Sequence, residues 1–230
     1  MAKRLTRVAP NRLYAIAQLS PKADTRELLL RLTGVTMSKF EFLMMIASVV
    51  VAVGMTEIVG GWGRLARTPA SVRIDWLHLG WTIYILFSAI QYWIGMWSYQ
   101  QLEIGYVGQI YFLVIPTIFI VLAAYVITPD VPLDAELDVR SYYWRKRRVV
   151  FLSLATFSVA AWMADLVIAG VASLEIGFMI LSLLTAASML VLAFSSRSWI
   201  HWLVLGISFL LLIGNFFTPL SFQDARWIKS

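Results

Sequence analysis

Cysteine is absent from all 230 residues, which excludes disulfides, thiolate metal sites, cysteine nucleophiles and iron-sulfur ligation together. Charge is scarce too. Only 14% of the residues are Asp, Glu, Lys or Arg, against 60% hydrophobic, and a soluble domain with that balance would expose large apolar surfaces to water. The two histidines, His78 and His201, are too far apart in sequence for a helical zinc motif, and neither a glycine-rich phosphate loop nor a serine elbow is present. No recognisable nucleophile and base pair remains, and the reading is therefore non-enzymatic. The net charge of +6 does not point to nucleic acid, because the basic residues gather beside apolar runs where topology and anionic headgroups account for them.

What remains is long apolar helices. Phe40 to Gly61 is interrupted only by Glu41 and Glu57. A helix rises about 1.5 Å per residue, so a run of about 20 apolar residues matches a hydrocarbon core about 30 Å thick. Five further spans follow: Asp75 to Trp97, Ile104 to Ile127, Val149 to Ala169, Val171 to Phe194 and Trp199 to Phe217. The fold class is thus an all-α membrane protein, a bundle of six transmembrane helices preceded by an amphipathic N-terminal segment. Residues 1–39 form a basic tail with an interfacial helix near Asp24 to Leu32, residues 40–217 the membrane domain, and residues 218–230 a short C-terminal tail.

Within the first span Ala47, Gly54 and Gly61 recur every seven residues, a stripe on which another helix can pack closely. Pro116 is expected to kink the third span, and Gly170 to join the fourth and fifth in a tight antiparallel turn. Basic residues alternate between loops. Arg64, Arg67 and Arg73, then Arg140 and Arg145 to Arg148, then Arg197 lie on one side, and the two intervening loops contain neither Lys nor Arg. Short-loop Lys and Arg set orientation, which places the three basic loops in the cytoplasm. The eight basic residues of the tail pull the other way, and those nearest the first span weigh most.

Several features resemble a group of small bacterial membrane proteins of about six helices. They are Phe42, Leu43, Glu57, Gly60, Gly61 and Arg64, then Trp76, His78 and Trp81, then Gln91, Tyr92, Trp93 and Trp97, and finally Pro129, Asp138, Arg140, Tyr142 and Arg147. The resemblance implies an architecture and a bacterial inner-membrane setting, and it carries no mechanism.

Folding this topology gathers ionisable residues by sign. One face collects Glu57, Arg64, His78, Arg140, Arg197 and His201; the other collects Glu103, Asp165 and Glu175. Gly60, Gly61 and Gly63 allow the chain to unwind at the first span's end and let Arg64 or Arg67 turn back toward Glu57. Such a group could be a proton-linked or anion-accepting site, or an ion pair locking the first two spans together. Acids at the opposite mouth could concentrate cations, with Asp165 and Glu175 approaching across the hairpin, or could be hydrated at the interface. No metal or cofactor is called for, although His78 and His201 admit a haem reading as axial imidazoles. Arg73, Asp75, Trp76 and His78 faintly echo Arg197, Trp199 and His201, too sparsely to define a repeat. The expected activity is to pass or bind a small ion or solute. The alternative is a non-catalytic subunit or scaffold, with the bilayer and a homo-oligomer or larger membrane complex as partners.

Overall fold

The structure is a computed structural model that describes residues 38–67, 73–100, 105–130, 138–169 and 176–216. The N-terminal interfacial helix, Glu103, the Gly170 turn, Glu175 and the C-terminal tail lie outside the described residues.

Six α-helices make up the described chain: α1 (Lys39–Arg67), α2 (Trp76–Gly95), α3 (Val107–Ile127), α4 (Val139–Ala169), α5 (Ile176–Phe194) and α6 (Ser198–Phe216). A short 3₁₀ turn, Met96–Tyr99, continues α2. The first four are long and apolar enough to cross a membrane, while the apolar stretches Met179–Phe194 of α5 and Ser198–Gly214 of α6 are shorter.

Odd helices run one way and even helices the other. The starts of α2, α4 and α6 therefore meet the ends of α1, α3 and α5 at a basic end, and the start of α1 meets the end of α2 at the opposite one. Helix α2 packs against α1, α3, α4 and α6, and its Trp81 and Ile85 are fully buried among Phe151, Ile120 and Leu205. Lipid tails are as apolar as these side chains, so close packing rather than water exclusion holds the centre.

The small-residue stripe does seat another helix. A Cβ on Gly54 would fall 2.9 Å from Cγ2 of Val121, and one on Gly61 would overlap the Thr128 methyl group. Val121 and Thr128 are themselves seven residues apart, so α1 and α3 run parallel with two matched seven-residue repeats. Ala47 continues the seam, fully buried beside Leu113.

Two expectations are corrected. Helix α1 does not unwind at Gly60, Gly61 and Gly63; it continues to Arg67 despite the roughly 1 kcal/mol that each glycine costs inside a helix, with Gly61 seated against Thr128 at the end of α3. Helix α4 starts at Val139, ten residues earlier than Val149, so Arg145 to Arg148 lie on a helix rather than in a loop. Asp138 starts it by accepting the backbone N–H of Arg140 at 3.1 Å. Helix α3 runs unbroken past Pro116, where the Tyr92 hydroxyl donates to the Leu113 carbonyl at 2.9 Å in the turn that the proline loosens.

Candidate functional site

A helix ends with four carbonyls that lack partners, and at a membrane boundary such groups need donors from elsewhere in the protein. At the basic end they have them. Thr128 Oγ1 donates to the Ala124 carbonyl at 2.8 Å, and the Tyr142 hydroxyl lies 2.8 Å from the Val126 carbonyl and 3.1 Å from that of Thr128. His78, only 3% exposed, directs Nε2 at the Ile127 carbonyl at 2.7 Å, so Nε2 carries the proton and closes the end of α3.

His201 does the same for α5. Its Nε2 faces the Ser195 carbonyl at 3.1 Å, and Nδ1 of the neutral ring then accepts the Tyr143 hydroxyl at 2.6 Å. The ring is fully buried against Trp144 and Phe151, with centroids 4.9 and 5.3 Å away. The faint echo between the starts of α2 and α6 thus corresponds to one shared job. Both imidazoles have Nε2 on a backbone carbonyl, so the axial-ligand reading is set aside: binding iron there would uncap a helix.

Tyr143 links the two histidines and is missing from the residues picked out by sequence. Its ring packs edge-on to His78 and to His201, at 6.5 and 5.7 Å between centroids. The available signal was the aromatic run Tyr142, Tyr143, Trp144 just ahead of Arg145 to Arg148.

Glu57 and Arg64 do pair, at 2.5 Å, but by a route different from the expected one. Arg64 lies back along its own helix over Gly60 and Gly61, whose bare backbones leave room for the guanidinium. Both members of the pair lie on α1, so this ion pair does not itself join α1 to α2. It is 37% exposed at Arg64 and 20% at Glu57, and Glu57 lines a lateral groove with Val49, Ala52, Val53, Thr56 and Tyr125. Among the described residues Glu57 pairs with Arg64 and His78 with the Ile127 carbonyl, and no hydrogen bond joins Glu57 to His78.

Arg140 lies in a third place, a pocket of about 570 Å³ where the starts of α2, α4 and α6 converge. Arg73, Asp75, Asp138, Ser198, Trp76, Trp144 and Trp202 share its walls. Arg73 and Asp138 form a single parallel backbone bridge that brings the two loops together. Both acids are engaged as caps: Asp75 accepts the Leu77 N–H at 2.8 Å, and Asp138 accepts the Ser141 hydroxyl at 2.7 Å as well as the Arg140 N–H. The Ser141 hydroxyl, the Ser141 and Arg140 amides and the nearby Arg73 charge hold the Asp138 carboxyl below the usual carboxylate range, against a smaller desolvation effect. Arg197 is exposed and is not part of these walls.

At the opposite end Asp165 accepts the Tyr99 hydroxyl, tying α4 to the end of α2. Its expected neighbour Glu175, and Glu103, lie outside the described residues. Among the described residues no three His, Asp or Glu side chains gather as a metal site. Searches against family models, curated proteins and solved structures find no match for this chain.

Proposed function

We propose that this chain is a non-catalytic integral membrane protein that crosses the bilayer six times and serves as a scaffold or subunit of a larger membrane assembly. One observation supports this over passage of an ion or solute. The polar groups that would line a path, His78, His201, Tyr142, Tyr143, Thr128 and Asp165, are hydrogen-bonded to helix ends or to one another. Between the two ends the centre is filled by Trp81, Ile85, Ile120 and Phe151, each 1% exposed or less. A hydrated route needs polar groups facing water, and a scaffold needs a rigid frame. In this reading the basic end faces the cytoplasm of a bacterial inner membrane.

The ion-passing reading keeps one feature in its favour, the Glu57 and Arg64 pair opening on a groove. The two readings separate in one preparation. The tagged full-length chain, extracted in mild detergent and passed into nanodiscs, is examined by native mass spectrometry, and the same protein is tested for ion flux in liposomes. A complex of fixed stoichiometry with a second chain, and flux equal to that of empty vesicles, is expected. Selective flux that Glu57→Gln or Asp165→Asn abolishes would overturn the scaffold reading.

A further inference from the structure

The pocket at the basic end has features that a rigid frame does not need. Its two carboxylates keep their charge while capping α2 and α4, and Arg73 lies near enough to Asp138 to act on it, yet neither Arg73 nor Arg140 forms an ion pair or side-chain hydrogen bond among the described residues. Both guanidiniums are exposed and border the same space. The first turns of three helices meet there, adding the partial positive charge of their N-termini. Three tryptophans dominate the remaining walls: Trp144 inside, with Trp76 and Trp202 also turned outward, 71% and 47% exposed. Trp202 continues directly into the apolar outer face of α6 at Leu203 and Ile207. The pocket thus opens at the level where tryptophan rings meet headgroups, with acyl-chain surface beside it.

We propose that this pocket binds the phosphate of an anionic membrane phospholipid, with Arg73 and Arg140 as its ligands and Trp76, Trp144 and Trp202 as its walls. Arginine presents paired N–H groups that match two phosphate oxygens, a fit that a diffuse basic surface lacks. The outward tryptophans favour a phosphate that carries acyl chains over a free one. The site does not depend on the scaffold reading, since a channel or a scaffold could equally hold a lipid there.

The test uses the purified full-length chain in detergent, titrated with phosphatidylglycerol, phosphatidylcholine or inorganic phosphate and read by native mass spectrometry. One phosphatidylglycerol per chain is expected to bind most tightly. Losing two charge-assisted contacts in Arg73→Gln/Arg140→Gln should weaken it about tenfold or more. Arg197→Gln, an exposed arginine at the same end outside the pocket, should leave binding unchanged, which separates a site from general basic attraction. Both pocket arginines are exposed, so the double variant should fold, and Arg140→Gln alone carries the same comparison if it does not. Equal phosphatidylglycerol binding by variant and parent would overturn the site. Phosphatidylcholine binding as tightly would overturn its preference for an anionic lipid, and inorganic phosphate displacing the lipid would overturn its lipid source.

Discussion

Gly54→Leu and Gly61→Leu are each expected to lower the stability of the bundle by about 1–3 kcal/mol, the cost of forcing extra atoms into a packed contact. At Gly54 the obstacle includes backbone, since the Cα of Val121 lies 3.3 Å from where a Cβ would stand, and backbone moves only with its whole helix. At Gly61 the obstacle is the Thr128 methyl, which looks free to rotate away. Turning it is costly, because it swings Oγ1 off the Ala124 carbonyl and leaves that carbonyl only the Thr128 backbone N–H at 3.3 Å. The two sites are about 10 Å apart along α1, so their effects should add in the double variant. Gly108→Ala and Gly177→Ala are the controls. Nothing lies within 4 Å of a Cβ at either position, and replacing a helical glycine there should be neutral or stabilise by up to about 1 kcal/mol. Thermal unfolding in one detergent reads all of these, and a Gly61→Leu protein that melts like the Gly108→Ala protein would show that α1 and α3 do not meet along this seam.

His201→Leu is expected to cost more than Tyr143→Phe, and the two together less than their sum. Removing the imidazole leaves two groups without partners, the Tyr143 hydroxyl and the Ser195 carbonyl; removing the hydroxyl leaves only Nδ1. An unsatisfied buried polar group costs about 1–3 kcal/mol, so the first change should exceed the second by roughly one such group. In the double variant the orphaned hydroxyl is gone, and only the carbonyl of Ser195 remains unmatched. A double-mutant cycle should therefore give a clear coupling energy between the two sites. Strict additivity would mean that the contact from α4 to α6 is not formed in the membrane.

The helix order, the gathering of basic residues at one end and the small-residue seam were all legible in the chain, because each rests on local composition or on a repeat of seven. So was the partnership of Glu57 with Arg64, which lie two turns apart on one helix. The start of α4 was not legible. Hydropathy treats Arg140 to Arg148 as loop, whereas Tyr143, buried from the middle of that polar run, fastens it into the bundle as helix. The glycines after Glu57 misled for a related reason. Their intrinsic preference is to break a helix, and the seat of Gly61 against Thr128 across the seam is not written in the local sequence. The histidines lacked any sequence cue to their roles. His78 closes a helix 49 residues further along the chain, and a backbone carbonyl at that distance leaves no side chain to read. The pocket around Arg140 needs three helix starts brought together, which no single stretch encodes.

The absence of native cysteine makes the closed interior directly measurable, since every introduced thiol is the only one present. Ser88→Cys, nearly isosteric, and Ala123→Cys and Ala155→Cys, which each add one sulfur atom, place a thiol at positions 8%, 0% and 5% exposed on α2, α3 and α4, with Ser141→Cys as an exposed control. Treated in native membranes with a membrane-impermeant thiol reagent, the control should be labelled from one side and the three interior variants from neither. Rapid labelling of any interior thiol would reveal water running through the bundle and contradict the tied, closed frame from which the scaffold reading follows.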